Sequence, residues 1–118
     1  MKILIVEDNE MNMKLFSDIL TYQKYEIDKA YNGKEAFDKL TDNKYDLVIL
    51  DIQLPIMDGF SVIKKLKENN VELPKILIAS ACAMDSDKLK AKEFGIKNYI
   101  TKPIDIKKFL MTVKEMLD

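Results

Sequence analysis

Three carboxylates, one hydroxyl and one ammonium stand at the ends of four strand-like runs in this 118-residue chain. Asp51 closes Leu47-Val48-Ile49-Leu50. Glu7 and Asp8 follow Ile3-Leu4-Ile5-Val6, Ser80 follows Ile76-Leu77-Ile78-Ala79, and Lys102 follows the run from Ile96 to Thr101. If these strands are parallel, their endings meet at one edge of the sheet, where open α/β folds bind ligands. Crowded carboxylates repel, and one stays protonated unless a cation neutralises the group. Mg²⁺ suits such a site, being hard, oxygen-liganded and able to share its shell with water and phosphate. With the charge balanced, Asp51 can attack phosphorus as a carboxylate nucleophile and form an acyl phosphate. Lys102 would pair with Asp51 and then with the added phosphoryl group, while Ser80 could hydrogen-bond a phosphoryl oxygen. Taken singly, Asp8 also reads as a helix cap, Ser80 as a turn serine and Lys102 as a solvated charge. The coincidence at strand ends favours the joint reading.

The elements that must position these groups alternate along the chain. Strand-like runs are Lys2–Glu7, Tyr25–Ala30, Asp46–Asp51, Lys75–Ser80 and Ile96–Thr101, with helical patterns between and after them. The first helix follows the N-cap Asn9 and carries Met13, Leu15, Phe16, Ile19 and Leu20 as its apolar face. The second starts near Asn32-Gly33 and the third carries Val62, Ile63 and Leu66. The fourth, from about Asp85 to Phe94, is mostly polar, with Leu89, Ala91 and Phe94 to bury and Gly95 as C-cap. The last follows Asp105 and shows Ile106, Phe109, Leu110, Val113, Met116 and Leu117 at helical spacing. Alternation of strand and helix predicts a parallel sheet covered on both faces. The first, third and fourth runs are the most apolar and belong in the centre; the polar second and fifth belong at the edges. The expected fold class is therefore α/β, a flavodoxin-like (βα)5 arrangement with strand order 2-1-3-4-5, in one domain spanning 1–118.

Composition narrows the chemistry. A net charge of −1 gives no electrostatic case for nucleic acid. All 19 basic residues are lysines, so no guanidinium fork is available for phosphate. With no histidine, imidazole acid–base chemistry and phosphohistidine are excluded within this chain. A single cysteine, Cys82, fits a reducing cytoplasm. No signal peptide and no apolar run of membrane-spanning length is evident.

These residues, in this order, resemble the response-regulator receiver family over essentially the whole chain. The matching pieces are Glu7-Asp8, Asp51 with the loop through Pro55 and Asp58-Gly59, Ser80-Ala81, Tyr99 and Lys102-Pro103. The resemblance implies that Asp51 is the phosphorylation site. Asp8, Asp51 and the Gln53 carbonyl would ligate Mg²⁺, and Glu7 would act through water. Ser80 and Lys102 would grip the phosphoryl group, and Tyr99 would turn inward as Ser80 moves. Gln53 and Cys82 fall where the family controls access of hydrolytic water; Cys82 also reads as an ordinary packed thiol. The run from Val6 to Phe16 is closer still to the DivK type of single-domain receiver, which works in cell-cycle phosphorelays. The expected partners are a sensor histidine kinase or phosphotransfer protein as donor and a downstream signalling protein as target, with no output domain in this chain. The protein would be a signalling phosphoacceptor and not an enzyme with turnover. Met11 reads either as an exposed docking methionine or as the rim of the core, and Ile104 could contact the same partner.

Rival readings make different demands. A flavin site needs a hydroxyl- or glycine-rich phosphate loop after the first strand, where Glu7-Asp8-Asn9-Glu10 would repel phosphate. A phosphohydrolase of the haloacid dehalogenase-like kind needs a second carboxylate two residues after Asp51, where Gln53 stands. A degenerate, docking-only receiver is at odds with the intact acidic pair, Asp51, Ser80 and Lys102. The Lys102-Pro103 peptide bond is a candidate for the cis form.

Overall fold

The structure is a computed structural model, and it describes residues 1–81 and 85–118. Among these, five parallel strands form one sheet in the order β2-β1-β3-β4-β5. The strands are β1 (Lys2–Val6), β2 (Glu26–Ala30), β3 (Leu47–Leu50), β4 (Lys75–Ser80) and β5 (Asn98–Thr101). They alternate with helices α1 (Glu10–Tyr22), α2 (Gly33–Asp42), α3 (Gly59–Glu68), α4 (Asp85–Glu93) and α5 (Ile106–Leu117). The flavodoxin-like topology expected from the strand–helix alternation is the one observed.

Strand parity splits the core into two layers. Leu4, Val6, Val48, Leu50 and Ile78 point to one face, where Ala36 and Leu40 of α2, Phe60, Ile63 and Leu66 of α3 and Ala91 of α4 pack. Their neighbours Ile3, Ile5, Leu47, Ile49 and Leu77 point to the other, against Met13, Phe16 and Leu20 of α1 and Phe109, Val113 and Leu117 of α5. Period-two alternation in strands that are apolar throughout is what lets one sheet serve two helical layers.

Local signals set the boundaries. Asn9, Asn32, Asp58 and Asp105 each cap a helix, their side chains accepting from the backbone N–H three residues on. Three helices end in Schellman motifs, with Lys24, Asn70 and Gly95 in the left-handed region (φ 68°, 56° and 80°). In each, the next residue bonds back five positions: Tyr25 to Leu20, Val71 to Leu66 and Ile96 to Ala91. This corrects two expected strand starts. Tyr25 and Ile96 are apolar residues that close the preceding helix, so β2 begins at Glu26 and β5 at Asn98. At the other boundaries, Asp46 precedes β3, and Glu7 and Asp51 lie just past their strands.

Three apolar residues expected in the core face solvent. Leu15 is 39% exposed because the buried stripe of α1 runs Met13, Phe16, Ser17, Leu20, and Leu15 lies two residues, about half a turn, off it. Leu89 is 63% exposed for the same reason relative to Ala91. Ile106, in the first turn of α5, is also exposed, whereas Phe109 and Val113 of the same helix are fully covered.

Candidate functional site

The sheet hydrogen bonds continue one step past the strands and so place the site. Glu7 N–H donates to the Ala30 carbonyl (3.0 Å), Asp51 N–H to Val6 (3.1 Å) and Lys102 N–H to Ser80 (2.9 Å). Val6 pairs with Leu50, Leu50 with Ile78, and Ser80 with Thr101. Glu7, Asp51, Ser80 and Lys102 therefore stand side by side at the strand ends, beside the point where the strand order reverses.

The Lys102 ammonium joins the group. It donates to Asp51 Oδ2 at 3.0 Å and to Glu7 Oε2, so Glu7 is as much its partner as Asp51 is. The other Asp51 oxygen, Oδ1, accepts the Gln53 backbone N–H (3.0 Å). The Glu7 and Asp51 side chains are almost wholly buried, that of Lys102 largely so, and Asp8 beside them is exposed. Burial pushes the Glu7 carboxyl above its ordinary value; hydrogen bonding to Lys102 pulls it down, and the Asp51 charge raises it again. Burial would lower the Lys102 ammonium, but its bonds to Glu7 and Asp51 outweigh this and the net direction is up.

Carboxylate oxygens of Glu7, Asp8 and Asp51 lie within 4.8 Å of one another. When ionised, three carboxylates against one ammonium leave two negative charges, and all the acidic donors are hard oxygens. Such a set fits a divalent cation of the Mg²⁺ kind. The cleft beside Asp8 measures about 580 Å³ and is lined by Gln53, Leu54, Asp58, Phe60 and Lys90 among others.

The loop from Asp51 to Asp58 is held by close backbone approach. Leu54 N–H bonds to Ile52 and Met57 N–H to Pro55, two three-residue turns, and the intervening Ile56 takes φ 71°. A left-handed conformation in a β-branched residue is strained, and it sits between Asp51 and α3. A Cβ on Gly59 would fall 2.6 Å from the Asp51 carbonyl oxygen, and one on Gly33 1.9 Å from that of Met57. In the sequence the only signal for these glycines is their place in the dipeptides Asn32-Gly33 and Asp58-Gly59, which mark helix starts and not close contacts. Gly59→Ala should cost about 1–3 kcal/mol by forcing this loop aside. Helix propensity alone would favour alanine there, so a urea midpoint equal to or above wild type would contradict the steric reading.

Of the remaining expected residues, Ser80 is fully buried at the end of β4. Tyr99 is half-buried against the α2–α4 layer, with Lys88 Nζ 5.9 Å from its ring centroid. Gln53 is exposed. Met11 is 82% exposed, and Ile104 is half-buried against the α1–α5 layer. Cys82 lies outside the described residues. Lys102-Pro103 is cis. Among the described residues no helix is long and apolar enough to cross a membrane.

An open parallel sheet with an acidic pair, an aspartate and a lysine at its strand ends defines a class, and comparison with known proteins agrees. The chain belongs to the response regulator receiver domain family, whose pattern matches residues 3–114. It is similar to the polar-differentiation response regulator DivK of Brucella anthropi, 40% identical over 117 residues, 98% of this chain and 94% of that protein. Among solved structures it is similar to a two-component response regulator from Clostridium difficile (34% identical, TM-score 0.90, 98% and 94% of the two chains). It is also similar to the response regulator TrrA of Thermotoga maritima in complex with Mg²⁺ and beryllofluoride (31% identical, TM-score 0.85, 98% of each chain).

Proposed function

We propose that this receiver accepts a phosphoryl group on Asp51 from a phosphohistidine of a sensor histidine kinase or phosphotransfer protein. The observation that carries the reading is the buried triangle of Glu7, Asp51 and Lys102 with Asp8 alongside. Asp8, Asp51 and the Gln53 carbonyl would hold Mg²⁺, with Glu7 acting through water, and the ion would supply charge neutralisation for an incoming phosphoryl group. An Asp51 carboxylate oxygen forms the new bond to phosphorus. The P–N bond of the donor breaks, its electron pair leaves on the imidazole nitrogen, and that nitrogen recovers a proton from solvent. Lys102, already bonded to Asp51 Oδ2, transfers one N–H to the added phosphoryl oxygens, and Ser80 supplies a hydroxyl from the neighbouring strand end.

Phosphorylation then biases two populations of the domain, with Ser80 and the half-buried Tyr99 as the moving pair. Output is contact with a downstream signalling protein in the cytoplasm. The likeness to DivK supports a role in cell-cycle control. Met11, almost wholly exposed beside the site, and Ile104 at the same mouth suit docking of the donor. The exposed Gln53 side chain and Cys82 tune the lifetime of the acyl phosphate.

Intact mass after incubation with acetyl phosphate tests the reading. A single phosphoryl adduct that requires Mg²⁺ is expected, and Asp8→Ala should raise the Mg²⁺ needed by about tenfold or more. An adduct that forms equally without the metal, or is indifferent to Asp8→Ala, would refute it. If no adduct accumulates, Mg²⁺-dependent binding of beryllofluoride is expected in its place; its absence would leave a docking-only receiver.

A further inference from the structure

Glu7 is 1% exposed and divides its two oxygens between two parts of the fold. Oε2 accepts from Lys102. Oε1 accepts from the start of α1, where the Asn9 backbone N–H lies at 3.3 Å and Asn12 Nδ2 at 3.4 Å. Both bonds are long, as suits one oxygen shared by two donors. The amide must present its nitrogen here, because an ionised carboxylate oxygen only accepts.

The usual capping box uses a Glu or Gln at the third helical position to reach back to the N-cap N–H. In α1 the N-cap is Asn9 and the third position is Asn12, but Glu7 has already taken the Asn9 N–H. The third residue is thus released from accepting and serves as a donor to Glu7. A carboxylate there would repel Glu7, and an apolar side chain would leave Oε1 short of a partner in a buried place. The same chain supplies the contrast. In α2 the N-cap is Asn32, no buried carboxylate stands two residues before it, and the third position is Glu35, which accepts from Asn32 Nδ2 at 2.9 Å.

We infer that Asn12 is a positioning residue for phosphoryl acceptance: it tethers Glu7 Oε1 to α1, so that only Oε2 changes partners between Lys102 and the water shell of a divalent cation. The inference rests on the function proposed above and adds a residue to it. Without Asn12 only the Asn9 N–H holds Oε1, so Glu7 more readily rotates to give both oxygens to Lys102, which then competes with the cation for this carboxylate.

The test is a Mg²⁺ titration of the whole chain followed by backbone amide shifts, for wild type, Asn12→Leu, Asn12→Gln and Asn32→Ala. Asn12→Leu keeps the branched shape and the number of heavy atoms, loses the donor, and should weaken Mg²⁺ binding about tenfold. Asn12→Gln keeps an amide and should recover most of that loss. Asn32→Ala strips the N-cap of α2 at a cost of about 1 kcal/mol and should leave Mg²⁺ affinity alone, separating positioning from mere destabilisation. Wild-type affinity in Asn12→Leu, equal weakness in Asn12→Gln, or equal weakness in Asn32→Ala would each overturn the inference. Failure of wild type itself to bind Mg²⁺ would instead remove the function on which it rests.

Discussion

Asp51→Asn should abolish phosphoryl incorporation, by at least about a thousandfold in rate, while leaving the protein folded. The amide matches the carboxylate in shape, and its oxygen can still accept the Gln53 N–H that now bonds Oδ1. What it lacks is the nucleophile: an amide oxygen cannot form a stable acyl phosphate. Its NH₂ group would also face the Lys102 ammonium, donor against donor, and Lys102 would fall back on Glu7. The fold should not suffer. Two buried carboxylates share one ammonium in the wild type, and removing one relieves their repulsion. A urea midpoint equal to or above wild type is therefore expected alongside the loss of labelling. Labelling that persisted in this variant would show that another residue is the acceptor.

Lys102→Met should have the largest effect on stability. The substitution keeps the stem and removes the charge, leaving Glu7 and Asp51 buried without their shared partner. Side-chain exposure of 12% for Lys102, 2% for Glu7 and 7% for Asp51 means that solvent screening rescues little. Breaking such a pair from one side costs about 3–5 kcal/mol, at neutral pH and without metal. The loss should depend on pH. Glu7 already titrates above its ordinary value in the folded chain, and without Lys102 it should rise further. A carboxyl raised on folding favours the native state fully below its unfolded value, and that support is lost as pH rises through the folded value. The gap between variant and wild type should thus be small in acid and grow towards neutrality. Lys102 is itself raised, so the wild type should lose stability as alkaline pH passes through the folded lysine value, a transition the variant lacks. Equal urea midpoints for the two proteins at neutral pH would contradict the pairing. In signalling, the variant should still be labelled yet fail to move Ser80 and Tyr99; a normal beryllofluoride response at both would count against the proposed role of Lys102.

Much of this arrangement is legible in the order of residues alone. Apolar runs that end in Glu7-Asp8, Asp51, Ser80 and Lys102 announce both the strands and the shared edge, because a parallel sheet collects its strand ends. The polar Glu26-Ile27-Asp28-Lys29 marks an edge strand, and Asn9 and Asp105 mark helix starts. What escapes depends on direction in space. Leu15 and Leu89 read as core residues by their chemistry, though two residues along a helix turns a side chain to the far side. Tyr25 and Ile96 look like strand residues but close helices, since a Schellman motif and a strand both want an apolar residue at that place. Gly33 and Gly59 matter for atoms they nearly touch in other segments. Asn12 reads as an ordinary polar residue of a helix until Glu7 is seen lying across the helix start. Each depends on a partner distant in space or on angle around an axis, which spacing along the chain does not report.

If the phosphoryl group resides on Asp51 as an acyl phosphate, its carbonyl carbon is open to hydride. The decisive step is therefore to incubate the chain with acetyl phosphate and Mg²⁺, reduce with borohydride, and map the peptides by mass. Borohydride attacks the acyl carbon and expels phosphate, converting a phosphorylated aspartate to homoserine. Homoserine is expected at position 51, and should be absent when Mg²⁺ is withheld. A phosphoryl group that survives reduction on a serine, threonine or tyrosine, or homoserine at Asp8 in place of Asp51, would contradict the assignment.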